Sequence, residues 1–255
     1  MTDQGPPARD GLFDEPVAAG YDDPDDPMNA PAAIDPVVDF LIDHARGGRV
    51  LELAIGTGRI ALPLAARGVE VHGIELSNAM VARLRAKSGG ERIAVTIGDM
   101  TSASATAGAD GAFRLAYLVY NTIQNLTTQA AQVACFRNVA RHLEPGGRFV
   151  IEVGMPDLRR LPPGDRYVVF DASPRHWGVD EYDVANQGLI SHHFDIRGDA
   201  VRTSSGPFRY VWPSELDLMA ELAGLRPFER WSTWHGEPFT SESRTFVGVW
   251  EKPTD

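Results

Sequence analysis

Short, nearly unbroken apolar runs alternate along the first part of the chain with longer stretches in which apolar residues recur every three or four positions. The first pattern marks strands buried on both faces, and the second marks helices with one inward face. Asp35-Pro36 predicts a helix start, with the acid as N-cap and proline at the first helical position, followed by Val37, Val38, Leu41 and Ile42 on one face. Gly47-Gly48 ends it. RVLELAI (49–55) reads as a buried strand, and the helix after it, running to Gly68, turns Ile60, Ala61, Leu64 and Ala65 inward. VEVHGIE (69–75) is a second strand. Ser77 then caps a helix with Met80, Val81 and Leu84 inside, closed by Gly89-Gly90. IAVTI (93–97), a loop of small residues, LAYLVYN (115–121), a helix from about Thr128 to Leu143, and RFVIEV (148–153) complete five strands. Such alternation implies a parallel sheet with right-handed crossovers, whose ligands bind beyond the carboxyl ends of the strands.

After about residue 160 the texture changes: YVVFD, GLISHHFDI and FRYVW read as antiparallel strands joined by short turns. A helix from Pro213 to Ala223, stopped by Gly224, precedes a final strand pair, RPFERWSTW and RTFVGVW. The fold class is therefore α/β with an antiparallel β insertion. Four segments are expected: an arm (1–30), a ligand-binding core (31–155), an inserted lid (156–212) and a closing helix and strand pair (213–255).

Composition narrows the function. The net charge is −11, and residues 1–30 carry eight acids against Arg9, leaving 27 acids and 23 bases for the rest. No surplus of Lys and Arg is available to neutralise phosphates, so nucleic acid is not an expected partner. The acidic, Pro- and Gly-rich residues 1–30 read as a mobile arm with Leu12, Phe13 and Tyr21 as anchors. No run approaches the roughly 18 apolar residues of a membrane span, and the N-terminus has no basic, apolar leader, so a cytoplasmic protein, monomer or homodimer, is expected. The single cysteine, Cys135, excludes an internal disulfide and a cysteine-rich metal site, and reads as a small buried hydrophobe.

Chemistry enters at Glu52-Leu53-Ala54-Ile55-Gly56-Thr57-Gly58, where the first strand turns into its helix and Ala61 takes the third glycine position. Glycines allow a tight turn and a close ligand approach beside free helix N–H groups. Nicotinamide dinucleotides and S-adenosylmethionine both use such a turn. An acid at Glu52 repels a pyrophosphate and suits the ammonium of a methionine tail. ELAIGTGRIALPLA, GIELSNAM, GDM, the strand before YNTI, and HLEPGGRFVIEV together resemble the class I S-adenosylmethionine-dependent methyltransferases over roughly residues 35–155. The resemblance implies a Rossmann-like seven-stranded sheet whose last strand is antiparallel, here with a lid inserted. It further implies S-adenosylmethionine as cofactor, with no metal. By the same resemblance Glu52, Gly56 and Gly58 line the methionine moiety, Glu75 accepts the ribose hydroxyls, and Asp99 with the Met100 N–H reads the adenine. Met80 packs on the adenine face, Tyr120 borders the cofactor, and Tyr21 resembles the tyrosine that covers it in some relatives. Tyr120-Asn121-Thr122-Ile123 is not the Pro-Pro-Tyr pattern of nucleobase amine methylation, and the later stretch, including RYVWPSELDLMAELAGL, resembles methyltransferases of specialised metabolism.

The expected acceptor is a small aromatic, heteroaromatic or amine-bearing metabolite, methylated at N, C or O. All five tryptophans and 14 of the 22 aromatic residues lie between Tyr167 and Trp250, suiting walls for a flat or cationic acceptor. Glu152 interrupts a buried strand and is a candidate proton acceptor or anchor for an N–H of the acceptor, its alternative being a structural partner of an arginine or a backbone N–H. His192 and His193 are further catalytic candidates. Being adjacent in a strand, they face opposite sides, so only one can enter the site. Two competing readings are a nicotinamide-dependent oxidoreductase and a catalytically silent cofactor-binding or partner protein on the same fold.

Overall fold

A computed structural model describes residues 13–24, 26–106, 108, 110–198 and 200–254; Leu12 lies outside them. In chain order the strands are β1 (Val50–Leu53), β2 (Val71–Glu75), β3 (Ala94–Ile97), β4 (Phe113–Leu118), β5 (Leu143–Gly154), β6 (Tyr167–Ala172), β7 (His176–Asp183), β8 (Gly188–Arg197), β9 (Ala200–Arg209), β10 (Arg226–Trp231) and β11 (Thr245–Glu251). The main helices are α1 (Glu15–Gly20), α2 (Pro31–Ala45), α3 (Ala61–Ala66), α4 (Asn78–Ala86), α5 (Gln129–His142) and α6 (Pro213–Leu222). Seven strands form one sheet in the order β10-β11-β5-β4-β1-β2-β3, and β6-β7-β8-β9 form a second. In the first, β11 runs antiparallel to both β5 and β10, while β1 to β5 are parallel. The order reverses beside β1, which places the switch point, and hence the ligand crevice, at the carboxyl ends of β1 and β4.

The strands of the centre are apolar because both faces are covered. On one side α2 and α3 pack Val38, Leu41, Ile60 and Leu64 against Val50, Leu115 and Val150. On the other, Phe136 of α5 meets Phe149 and Trp250 edge-on, with Val211, Leu216 and Met219 alongside. Ser77 and Thr128 cap α4 and α5 by accepting from the N–H groups of Met80 and Ala131. Cys135 is buried in this core, and burial pushes its thiol up to about 12.

Several boundaries differ from the expectation. Helix α2 begins at Pro31, not at Asp35-Pro36; Pro31 takes the first helical position and Pro36 lies inside. β4 ends at Leu118, and Tyr120 and Asn121 turn out of it with φ of 58° and 61°. β7 forms a strand absent from the expected set, and FRYVW contributes only its first two residues to β9. Residues 13–24 and 26–30, expected to stand apart, are folded onto the core. Asp14 caps α1. The Phe13 carbonyl accepts from Ser77 Oγ at 2.6 Å, and Glu15 pairs with Arg83.

Candidate functional site

Of the cofactor residues expected from the motifs, Tyr21, Gly56, Glu75, Met80, Asp99 and Met100 line one cleft at the carboxyl ends of β1, β2 and β3, whereas Glu52 and Tyr120 line a recess beside it and Gly58 lines neither. A cavity of about 380 Å³ is lined by Phe13, Tyr21, Gly56, Glu75, Met80 and Asp99, among others, and Met100 also faces it. Glu75 ends β2 and is buried; its Oε2 accepts from the Gly56 N–H and its Oε1 from the Ser77 N–H, each at 2.8 Å. One carboxylate thereby fixes the glycine turn and the start of α4 together. Asp99 Oδ1 accepts from the Thr101 N–H at 2.8 Å, setting the turn that brings Met100 to the cleft. Gly56 and Gly58 have φ of +56° and +80°, which glycine adopts without strain, and a Cβ on Gly58 would fall on the Leu84 side chain.

A smaller recess adjoins this cleft at the end of β1, lined by Glu52, Gly56, Thr57, Arg59, Tyr21 and Tyr120. Glu52 is buried, and β1–β4 pairing sets Tyr117 directly beside it, where the phenol donates to Oε2 at 2.6 Å. Burial pushes the Glu52 carboxyl up to about 8, against the opposing pull of the Tyr117 hydrogen bond and the Arg59 charge. Arg59 donates to the Met28 carbonyl and lies over the Tyr120 ring at 5.0 Å. Asp22 Oδ1 accepts from Thr57 Oγ1 at 2.6 Å and from Lys87 Nζ at 2.7 Å, so the N-terminal segment is latched to the glycine turn and holds Tyr21 over the recess. Burial raises the Tyr21 hydroxyl, with nearby Arg59 acting against it.

A third cavity, of about 370 Å³, opens between that segment and the β6–β9 sheet. It is lined by Tyr21, Asp26, Met28, Arg59 and Tyr120 on one side and Asp195, Arg202 and Ser204 on the other. Tyr21, Arg59 and Tyr120 border both this cavity and the recess, so the two spaces share one wall. The sheet therefore stands over the site as a lid, and its pairing register tells its two faces apart. His193 is opposite Ser204 and Gly178, on the inner face. His192 is on the outer face, with Nδ1 2.8 Å from Ser205 Oγ and Nε2 3.4 Å from Glu181. Trp177, opposite Phe194 and Ala172, is outer as well and 54% exposed.

Glu152 lies elsewhere. It borders a fourth cavity with Pro36, Val37, Arg59 and Trp234, and both its oxygens are engaged. Oε2 accepts from the Tyr120 N–H at 2.9 Å and Oε1 from the Trp234 indole at 3.0 Å. The Asn121 N–H adds a bond to the Glu152 carbonyl, and Asn121 Oδ1 accepts from the Gly154 N–H. These bonds hold two successive non-glycine residues at positive φ, a strained turn that needs such support. The geometry thus favours the structural alternative for Glu152. Of the tryptophans, Trp250 is core, Trp177 faces out and Trp234 lines the fourth cavity, which shares Arg59, Ile60 and Val119 with the recess, while the rings beside the lid cavity are Tyr21 and Tyr120.

Arg59, Tyr117, Asp22, Asp195 and His176 escaped the reading of the chain alone. Arg59 directly follows the glycine turn, and Tyr117 faces the same way as Glu52, so strand register could have signalled both. Among the described residues, no group of three or more His, Cys, Asp and Glu side chains is placed to hold a metal ion, and no helix is long and apolar enough to cross a membrane.

A Rossmann-like sheet with acids near the ends of β1 and β2, a glycine turn between them and a second sheet over the crevice has the form of a site for a nucleoside-containing ligand. Residues 50–147 match a family model described as a methyltransferase domain. The chain is 28% identical to the cypemycin N-terminal methyltransferase of a Streptomyces species over 211 residues, 81% of this chain and 84% of that one. The structure of the CcbJ methyltransferase from Streptomyces caelestis is 31% identical, with a TM-score of 0.80 over 93% of this chain and 96% of that one. CalS10 of Micromonospora echinaspora, solved with S-adenosylmethionine bound, shares the fold at 21% identity and a TM-score of 0.66 over 96% of this chain and all of that one. The chain belongs to the class I S-adenosylmethionine-dependent methyltransferases of the natural-product type.

Its residues fit that cofactor. A glycine turn with no Cβ in the way, carboxylates at Glu75 and Asp99 for hydroxyl and amino donors, apolar Met80 and Met100, and a buried acid at Glu52 beside Arg59 match a nucleoside joined to a zwitterion.

Proposed function

We propose that this enzyme methylates an amine nitrogen of a small natural-product acceptor held between the N-terminal segment and the inner face of the lid. In this reading Glu75 takes the ribose hydroxyls, Asp99 the adenine amine, Met80 and Met100 the ring, and Glu52 the ammonium of the methionine moiety. Tyr21 closes the recess from above. When bound, S-adenosylmethionine supplies a methyl group on a sulfonium, open to attack by a nitrogen lone pair as the carbon–sulfur bond breaks toward sulfur.

The observation that carries the amine is the composition of the lid cavity. Asp26 and Asp195 line it together with the rings of Tyr21 and Tyr120, and carboxylates and aromatic faces both attract a cation; Arg202, opposite Asp195 in the register, offsets one of the two acids. Arg59 is already committed to the Met28 carbonyl, to the Tyr120 ring and to offsetting Glu52. The N-terminal methyltransferase among its relatives supports the same choice. Transfer needs alignment within about 3–3.5 Å and exclusion of water, which walls and a lid provide.

Mass spectrometry of purified enzyme with S-adenosylmethionine and a panel of amino sugars, free-amine dipeptides, phenols and indoles tests this. Methyl gain confined to the amines is expected. Methylation of a phenol oxygen or ring carbon with the amines untouched would overturn it.

A further inference from the structure

The inner face of the lid carries a connected row of proton-exchanging side chains. His176 Nδ1 lies 2.6 Å from Asp171 Oδ2, His176 Nε2 lies 3.0 Å from His193 Nδ1, and His193 Nε2 lies 3.2 Å from Ser191 Oγ. Ser191 also hydrogen-bonds Asp180. The row crosses three strands, starting at Asp171, whose side chain is 39% exposed at the β6 end, and running inward. In the register, His176 is opposite Asp195 and His193 is opposite Ser204, and Asp195 and Ser204 both line the lid cavity.

This row has two complete hydrogen-bonding states that differ by one proton. The Asp171 carboxylate only accepts, so His176 donates to it from Nδ1 and keeps a lone pair on Nε2. That lone pair accepts from His193 Nδ1–H, which leaves the His193 Nε2 lone pair facing Ser191. A proton arriving at His193 Nε2 reverses the chain. His193 Nδ1 passes its proton to His176 Nε2, the imidazolium then sits against Asp171, and His193 Nε2–H donates to Ser191 while Ser191 donates to Asp180. Every donor has an acceptor in both states, so the row holds the extra proton with no polar group unpaired; its loss from His176 Nδ1 through Asp171 leaves both rings protonated on Nε2, and a turn of each ring restores the start.

An ammonium acceptor supplies the proton. It must lose one to expose its lone pair, and the methylated nitrogen leaves as an ammonium again, so each turnover releases one proton. Resting on the amine reading above, we propose that His193, His176 and Asp171 form the path that takes this proton and delivers it to solvent at Asp171. Burial, with the His176 ring and His192 assisting, holds His193 below its ordinary range, while Asp180 and Asp195 oppose. Arg202 from β9 faces the same cavity, and Asp26 and Arg59 face it from the other wall. A neutral imidazole near pH 7 is the form that accepts a proton.

His176→Gln keeps a polar side chain at that position but cannot pass a proton. With an amino sugar or a free-amine dipeptide as probe, wild-type kcat/KM should level off well below the pKa of the amine. In the variant it should fall at least tenfold at pH 7 and climb about tenfold per pH unit up to that pKa. The affinity for S-adenosylhomocysteine and the Tm should stay unchanged. Superimposable profiles would overturn the proton path and leave the amine reading intact. A second readout needs neither cofactor nor acceptor: in an NMR titration of the histidine ring protons, His176→Gln should raise the His193 midpoint. An unmoved His193 midpoint would overturn the path. A raised midpoint without methylation of any amine probe would remove the amine reading, and the proton path with it.

Discussion

Glu75→Gln separates the two tasks of the acid that ends β2. The carboxylate is 6% exposed and accepts from the Gly56 and Ser77 N–H groups, both at 2.8 Å. Glutamine fills the same volume but turns one oxygen into an NH₂ that faces an N–H, so one loop amide loses its acceptor. A buried donor left unsatisfied costs about 1–3 kcal/mol. At about 2–4 °C per kcal/mol for a chain of this size, the free protein should melt about 2–12 °C lower. On our assignment the same carboxylate also receives ribose hydroxyls through charge-assisted hydrogen bonds, worth about 1.5–3 kcal/mol. That corresponds to about a 10- to 150-fold rise in Kd. Calorimetric titration with S-adenosylhomocysteine, beside thermal melts of the unliganded proteins, measures both. A Kd within twofold of wild type alongside the predicted fall in Tm would refute the ribose assignment and leave Glu75 a purely structural clamp.

Three other perturbations test the remaining walls. Glu52 has an ordinary value of 4.5 and a folded value of about 8, so the folded protein keeps a proton that the unfolded chain has released. Stability of the free protein should therefore fall as pH rises from about 4.5 to about 8, and Glu52→Gln should flatten that slope in pH-dependent melts. Glu152→Gln should lower Tm and alter Trp234 fluorescence, because one of two donors loses its acceptor, while the shape of the kcat pH profile stays put; a lost pH limb would restore the role of base. Asp22→Asn should speed S-adenosylhomocysteine release severalfold in stopped-flow, with Tm within about 4 °C, since an ion pair about one-third exposed contributes about 0–1 kcal/mol.

The central sheet was legible because burial on both faces leaves little but apolar residues in β1, β2, β4 and β5, and because Ser77 and Thr128 mark helix starts by a side-chain bond local in sequence. The candidate cofactor acids Glu52, Glu75 and Asp99 were legible through the resemblance, because each sits in a short motif, ELAIGTG, GIE or GDM, that is local in sequence. The lid was less so. β7 reads HWGVDEYD, with polar residues on both faces, since its inner face carries His176 against His193 and its outer face is partly exposed. Neither face is apolar throughout, so no alternation shows. FRYVW misled in the opposite direction: Tyr210 and Val211 are buried as a connector to α6, and their apolar character reflects packing outside any strand.

Glu152 shows where reading along the chain stops. Its oddity in a buried strand was plain, and burial alone demanded a partner, but a base and a clamp make the same demand. The choice was decided by Trp234, 82 residues away, and by a turn at Tyr120 whose positive φ has no glycine to announce it. His176 is the converse. Alone in the sequence it carries no signal, and it gains one only when β7 and β8 pair in the register that sets it beside His193 and opposite Asp195. A slip of one residue would send every side chain of β7 to the other face and break the row. Chemistry that depends on strand register thus becomes visible with the fold, whereas chemistry that depends on a strand's end can be read before it.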